Sequence, residues 1–202
     1  MTTRDNGMAP DVAGEEDRSL MARVQKGDEA AMGAIMERWE LPVKSVIARI
    51  VLNASEAEEL AQETFVRVWQ QREKFREGAA FRPWVFAIAV NLARNRLRWW
   101  RRRPDVSLDE WSETQLPAIE VQGSLSARGA EQMERSERAE AVRDAIAALS
   151  LELREALVLF EYEQLSHAEI AAAVDATPKA VETRIYRARE KLRSALKPWA
   201  CE

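Results

Sequence analysis

"LSHAEIAAAVDATPKAVETRIYRAREKLRSAL", residues 165–196, carries the signals of two helices joined by a tight turn. Ser166 and Glu169 form an S-x-x-E capping box, which is typical of a helix start. Thr177 offers a second N-cap, and Pro178 follows at the first helical position, where its missing N–H costs nothing. Because only about three residues separate the two helices, the stretch predicts a helix-turn-helix.

The second of these helices is basic, with seven Lys or Arg and two Glu between residues 178 and 197. Its apolar residues recur every three or four positions and are predicted to face the core. The outward positions suited to reading bases are then Lys179, Glu182, Thr183, Tyr186 and Arg187. A basic amphipathic helix is equally typical of a solvated surface. The capped helix that precedes it favours DNA binding.

Length and composition limit the remaining possibilities. With 202 residues, 47% of them hydrophobic, the chain is able to bury a core in one or two small domains. A net charge of −4 confines any DNA binding to local patches. The single cysteine, Cys201, excludes an internal disulfide framework and fits a reducing compartment. No apolar run approaches the roughly 20 residues of a membrane span, and the N-terminus lacks a signal-peptide core, so a cytoplasmic protein without membrane insertion is predicted.

Strand signals are nearly absent, which predicts an all-α fold. Gly27 ends a first helix, Asp28 caps a second, and Pro42 opens a third. Ser55 and Glu58 form a further capping box at the start of a fourth. The predicted helices before the helix-turn-helix span residues 17–26, 28 to about 39, 42–52, 55–73, 83–103, 138–149 and 152–163.

The composition changes between residues 105 and 140, where nine acids stand against three bases. Proline, glycine and serine are frequent there, and the first two-thirds of the stretch lacks a clear helical period. This composition predicts an acidic flexible linker. The sequence is therefore divided into a disordered tail (1–16), a helical domain (17–104), the linker (105–136) and a second small helical domain (137–202).

An arginine-rich segment, "ARNRLRWWRRR", closes the first domain at residues 93–103. Arginines that follow phosphates, interleaved with rings that stack on bases, suit single-stranded DNA, at about 1–3 kcal/mol for each stacked base. Alternatively, Trp84 and Phe86 belong to the core and the arginines are a solvated helix end that complements the dipole.

An acidic segment, "SEAEELAQETFVRVW", occupies residues 55–69 and begins a helix. Early acids complement the helix dipole, which is sufficient as a structural explanation. The same exposed face also suits docking of a basic partner, and the sequence leaves both interpretations open.

The order of these pieces resembles the sigma factors of bacterial RNA polymerase. The acidic helix, the "FRPWVFAIAVNLARNRLR" helix, a linker and the C-terminal helix-turn-helix follow one another as in the compact extracytoplasmic-function class. The resemblance runs from Asp17 to Leu196, apart from the linker.

The resemblance implies three binding surfaces. A docking helix would grip a coiled coil of the largest subunit of core RNA polymerase through Glu58, Glu59, Leu60, Gln62, Glu63, Phe65 and Trp69. A second surface would melt the −10 element and capture an unstacked base, through Phe75, Phe81, Trp84, Asn91, Arg94 and Arg98. Stacking and arginine contacts would offset the cost of extruding that base from the duplex, roughly a few kcal/mol. The −35 element would be read by Lys179, Thr183, Arg184, Tyr186 and Arg187. Glu182 departs from the family pattern: it either accepts from a cytosine amino group or lies off the bases.

The resemblance also implies an anti-sigma factor, often membrane-bound, as a further partner. No cofactor, metal or catalytic role is expected, because the only histidine, His167, lies in a helix first turn and there is no phosphate-binding loop or Cys/His cluster. Two alternatives remain at this point: a stand-alone helix-turn-helix repressor or activator, which would bind its operator unaided, and an interaction protein whose helices are only docking faces.

Overall fold

The computed structural model describes residues 12–102 and 129–199, and within them every regular element is helical. The all-α prediction is thereby confirmed for this part of the chain. Its α-helices are α1 (Val12–Gln25), α2 (Glu29–Val51), α3 (Ala54–Gln70), α4 (Phe81–Arg101), α5 (Gly129–Ala147), α6 (Leu151–Glu161), α7 (His167–Ala173) and α8 (Pro178–Ala195). Single 3₁₀ turns follow α3 and α8, at Arg72–Lys74 and Lys197–Trp199.

The predicted break at Pro42 is wrong, because α2 continues through it. A proline inside a helix forfeits one backbone hydrogen bond and costs about 3 kcal/mol. Residues on both sides of it, including Ile35, Val43 and Val46, are fully buried. We infer that burial of both halves against one core outweighs the lost bond.

The cap of α3 also differs from the prediction. The Asn53 side chain accepts a 2.9 Å hydrogen bond from the Glu56 N–H, so Ser55 lies inside the first turn. Leu52 ends α2 in the left-handed region at φ 61° and donates its N–H to the Ala48 carbonyl. The connection between α2 and α3 therefore consists of Leu52 and Asn53, one residue earlier than predicted.

Two helices extend into segments predicted to lack structure. Helix α1 starts at Val12, within the predicted tail, and α5 starts at Gly129, within the predicted linker. The rest of that tail and linker, residues 1–11 and 103–128, lies outside the described residues.

One hydrophobic cluster connects the N-terminal helices α1–α4 to the C-terminal helices α6–α8. Ile47 and Phe86 are fully buried on the N-terminal side, and Leu159 and Ile170 on the C-terminal side. Helix α7 packs on α4, and α6 packs on α2. The two halves predicted from the sequence are thus in direct contact.

A buried arginine links three helix ends. Arg154 donates from Nη1 to the Ile50 carbonyl at 2.8 Å, and from Nη2 to the carbonyls of Ala147 and Leu149 at 2.7 and 2.9 Å. The carbonyls of Ile50 and Ala147 lie in last turns, where a helix provides no partner of its own. Burial lowers the pKa of the Arg154 guanidinium, and these acceptors compensate for the lost water.

We expect Arg154→Ala to lower the free energy of unfolding by about 2 kcal/mol, because it leaves buried carbonyls without donors. Urea titration followed by circular dichroism measures this change. The exposed Arg187→Ala serves as the control and is expected to leave the midpoint unchanged. Equal midpoints for both variants would contradict the assigned role.

Candidate nucleic-acid and partner interfaces

The helix-turn-helix forms as predicted. The Ser166 hydroxyl accepts from the Glu169 N–H, and the Glu169 carboxylate accepts from the Ser166 N–H at 2.8 Å, which completes the capping box. Asp175 turns the chain at φ 51°, a left-handed conformation that aspartate tolerates better than most residues. Thr177 then caps α8 by accepting from the Ala180 N–H at 3.2 Å. Local hydrogen bonds therefore fix where each of the two helices begins.

Helix α8 presents a polar outer face. Val181, Ile185 and Ala188 are buried, whereas Tyr186 is 66% exposed and Arg187 lies beside it on the surface. An exposed phenol and an exposed guanidinium are each suited to hydrogen bonding with base edges or phosphates.

A short ion pair lies at the start of this face. Lys179 Nζ donates to Glu182 Oε2 at 2.8 Å, and this hydrogen bond lowers the pKa of the Glu182 carboxyl. Glu182 is therefore an anionic acceptor at neutral pH, already engaged by a neighbouring cation. Thr183 uses its hydroxyl to donate to the Lys179 carbonyl, at 2.9 Å.

Arg184 differs from the other predicted base-reading residues. Its side chain is only 22% exposed and lies 3.3 Å from the Glu152 carboxylate at the start of α6. Both residues line a cleft of about 780 Å³ between α6 and α8, together with Tyr186 and Arg187. In this arrangement Arg184 braces α8 against α6.

A polar stripe runs along α4. Trp84, Asn91, Arg94 and Arg98 follow one another at intervals of seven, three and four residues, which places them on one helix face. Asn91 and Arg98 are exposed, and Trp84 is partly buried. This stripe is the candidate single-strand surface, and the structure places four of the six predicted residues on it.

The centre of this stripe is covered. Arg94 Nε donates to Glu155 Oε1 at 2.7 Å, and its Nη2 donates to the other carboxylate oxygen. Its Nη1 donates to the Val174 carbonyl at 2.9 Å, after α7. The hydrogen bond with Glu155 raises the pKa of Arg94, and burial raises the pKa of the Glu155 carboxyl against the opposing effect of Arg94.

The two remaining predicted residues of this set, Phe75 and Phe81, lie in the core. The Phe75 ring contacts Trp84 edge-on at 5.1 Å and Phe81 at 6.2 Å, and Phe81 contacts Trp39 at 5.5 Å. Buried rings have no free face for a base. Their role in this structure is to support Trp84 and the start of α4.

The arginines at the end of α4 divide into two groups. Arg96 pairs with Glu56 and Glu59 of α3 and so joins two helices. Arg98, Arg101 and Arg102 are exposed, and together with Trp99 they form the basic end of α4. Arg103 lies outside the described residues.

The outer face of α3 carries exposed Glu59, Gln62 and Val66. Leu60 and Phe65, two predicted docking residues, are in the core instead, and Trp69 packs partly against it. These three residues therefore support α3 from the core side, and its exposed residues are Glu59, Gln62 and Val66 among others.

Nearby bases neutralise much of the charge of the acidic segment. Lys44 of α2 pairs with Glu58 at 2.8 Å, and its hydrogen bond lowers the pKa of that carboxyl. Arg67 pairs with Glu63 at 3.2 Å. The face is consequently less acidic than the sequence alone indicates.

We expect Leu60→Ala to lower the free energy of unfolding by about 3 kcal/mol, since the side chain is 1% exposed and its loss leaves a cavity. Thermal or urea unfolding measures the loss. The exposed Gln62→Ala on the same helix should remain within about 0.5 kcal/mol of the parent protein. An unchanged midpoint for Leu60→Ala would contradict its placement.

One exposed residue on these surfaces escaped the sequence reasoning. Val66 is 52% exposed, four residues after Gln62 on the same face of α3. The four-residue spacing from Gln62 would have identified it. Trp99, one of the rings interleaved with the arginines of residues 93–103, is 41% exposed at the end of α4.

Metal sites and membrane-spanning helices have requirements that the described residues do not meet. His167 stacks on Phe160 with ring centroids 5.3 Å apart. Across residues 12–102 and 129–199, no three His, Cys, Asp or Glu side chains are grouped to hold a metal ion. Along the same stretches, no helix has the length and apolar character that crossing a bilayer requires.

Two family models match the chain. The Sigma-70 region 2 model matches residues 35–103, and the Sigma-70 region 4 model matches residues 139–192. The first range contains α3 and α4, and the second contains the helix-turn-helix.

Curated relatives match along most of the chain. It is 35% identical to the RNA polymerase sigma-H factor of Pseudomonas aeruginosa over 188 residues, covering 91% of this chain and 95% of that protein. It is 33% identical to the ECF RNA polymerase sigma-E factor of Escherichia coli, covering 90% of this chain and 95% of that protein.

Solved structures share the fold. CnrH in complex with the cytosolic domain of CnrY superposes with a TM-score of 0.65 at 25% identity, covering 91% of this chain and 98% of that one. The sigma factor RpoE from Bartonella quintana, in complex with the anti-sigma factor NepR, superposes with a TM-score of 0.64 at 22% identity, covering 82% of this chain and 96% of that one.

Proposed function

This chain belongs to the sigma-70 family of RNA polymerase sigma factors, and from that premise we propose that it is a promoter-specificity subunit of the extracytoplasmic-function class. It binds core RNA polymerase and directs it to promoters. The observation that carries the proposal is the exposed outer face of α8, held on a fully capped helix-turn-helix. The polymerase supplies the chemistry of RNA synthesis.

The −35 element is assigned to α8. Lys179, Glu182, Tyr186 and Arg187 are exposed on the outer face, and Thr183 lies among them. A helix in the major groove meets base edges with such residues, and each good bidentate contact discriminates by about 1–3 kcal/mol. Arg184 has a positioning role here, because it holds α8 against α6.

The −10 element is assigned to the α4 stripe. Trp84 offers a partly open ring, Asn91 an amide, and Arg98 an exposed guanidinium that suits phosphates. Phe75 and Phe81 support this surface from the core. Arginine contacts and stacking together offset the free energy of unstacking a base.

Docking to core polymerase is assigned to the outer face of α3. Its exposed acids, with Gln62 and Val66 among them, suit a helical partner that carries basic residues. The ion pairs with Lys44 and Arg67 fix the acidic side chains in place before the partner arrives.

We further propose that residues 17–104 and 137–202 act as the polymerase and −10 domain and the −35 domain, joined by 105–136. The two family-model ranges support this division. The extracytoplasmic-function class also supports regulation by an anti-sigma factor. We place the protein in the cytoplasm, where such a partner, often in the membrane, would hold it until a signal releases it.

Run-off transcription with purified components tests the proposal. Core polymerase with this protein should start transcription from a subset of genomic promoter fragments, and core polymerase alone should not. If the protein adds no specific start site across such a library, the proposal fails.

A further inference from the structure

The middle of the α4 stripe is closed by the C-terminal half of the same chain. Arg94 stands between Asn91 and Arg98, which are both exposed. Its guanidinium forms a two-pronged ion pair with Glu155 of α6 and donates to the Val174 carbonyl after α7. Each of its three nitrogens thereby donates within the protein, and the side chain is only 14% exposed, so Arg94 is not accessible to a DNA phosphate in this arrangement.

Other arginines cross the same boundary. Arg82 of α4 lies 3.2 Å from the buried Glu163 carboxylate, beyond the end of α6. The Arg49 guanidinium of α2 lies 4.1 Å above the Tyr162 ring. Arg154 reaches the Ile50 carbonyl from the opposite direction. An ion pair, a cation–π contact and a hydrogen bond therefore join the two halves around their shared apolar contact.

Such a boundary is suited to opening. Burying an ion pair removes the hydration of both charges, which costs free energy, and both charges regain this hydration when the halves separate. The raised pKa of Glu155 reflects this cost. Each half also has helix contacts of its own, such as those of α1 with α2 and of α7 with α8.

We propose that the Arg94–Glu155 pair is an intramolecular latch that keeps the two halves of the chain closed and masks the single-strand surface of α4. DNA phosphates compete with the Glu155 carboxylate for the same guanidinium, so binding of a single strand and opening of the halves are coupled. The identity of the competing ligand rests on the proposed function, whereas the latch itself is a property of the free protein.

Distance measurement by double electron–electron resonance tests the latch. Spin labels are placed at exposed Ser19 and Ser194, each changed to cysteine, in a Cys201→Ser background. We expect one short distance in the parent protein and an added, longer population in Glu155→Gln. Glu163→Gln, at the edge of the boundary, should give a smaller shift in the same direction.

The matched control is Glu56→Gln, which removes a partly buried ion pair with Arg96 inside the N-terminal half. It should leave the distance unchanged. Circular dichroism verifies folding, and if Glu155→Gln does not fold, Glu163→Gln provides the test. A single short distance in every folded variant would overturn the proposal.

A fluorescein-labelled twelve-nucleotide DNA single strand then tests the masking. If the closed form holds about nine-tenths of the molecules, opening it tightens the apparent affinity about tenfold. We expect this gain in Glu155→Gln and not in Glu56→Gln. A longer distance with unchanged affinity would overturn the masking. Neither readout uses polymerase, so failure of the proposed function would appear separately, in the transcription assay.

Discussion

The Gln62→Ala, Val66→Glu double variant is expected to bind core RNA polymerase about 1000-fold more weakly than the parent protein, a loss of about 4 kcal/mol. Both side chains are exposed on the outer face of α3. The new glutamate adds charge beside Glu59 and Glu63, and docking would bury it without a partner. Fluorescence anisotropy with labelled protein measures the change.

The control introduces the same charge at another exposed apolar position, Ala195→Glu at the end of α8. It should bind core polymerase as the parent does. Since neither variant touches the core, their unfolding midpoints should agree within about 0.5 kcal/mol. Parent-like binding by the α3 variant would remove this face from the polymerase interface.

The Tyr186→Ala, Arg187→Ala double variant is expected to lose about 4 kcal/mol of promoter selectivity, roughly 1000-fold in run-off transcription, while its binding to core polymerase is retained. The two side chains are neighbours on the outer face of α8 and line the cleft beside α6. Each is placed to contribute a base or phosphate contact that truncation abolishes.

Arg193→Ala is the matched control for this variant, because Arg193 lies on the same helix and pairs with Glu190. It should leave selectivity unchanged. If activity instead falls equally at all promoters, and the salt dependence of DNA binding weakens by about one charge, Arg187 contacts a phosphate and not a base. No loss at all would remove the outer face of α8 from promoter recognition.

The parts of the fold that were predictable depend on local hydrogen bonds. Ser166, Thr177 and Asp28 are caps whose hydrogen-bond partners lie three residues away, at Glu169, Ala180 and Ala31, so the sequence contains everything that forms them. The helix-turn-helix and its outward face follow directly from these signals.

The start of α3 and the course of the chain at Pro42 depended on packing as well as on local preferences. Asn53 caps α3 in place of Ser55, because the left-handed Leu52 brings the chain directly from α2 into the next helix. Pro42 predicts a helix start by its local preference. Its helix continues because residues on both sides are buried against the same core.

The assignments that changed most depend on distant residues. Arg94 and Glu155 are 61 positions apart, and nothing near either one predicts their pairing. Arg184 matches a base-reading position but meets Glu152. Phe75 and Phe81 match a single-strand loop, yet their rings pack together beneath Trp84. Composition shows that such side chains are present, whereas tertiary packing decides which of them remain exposed.

The most direct test of the central claim compares promoter-DNA binding by the protein alone with binding by the protein and core polymerase together, on the same labelled fragments. We predict weak, sequence-independent binding by the free protein and tight, promoter-specific binding once core polymerase is added. Tight, sequence-specific binding by the free protein, unchanged by core polymerase, would contradict the account and identify a stand-alone regulator.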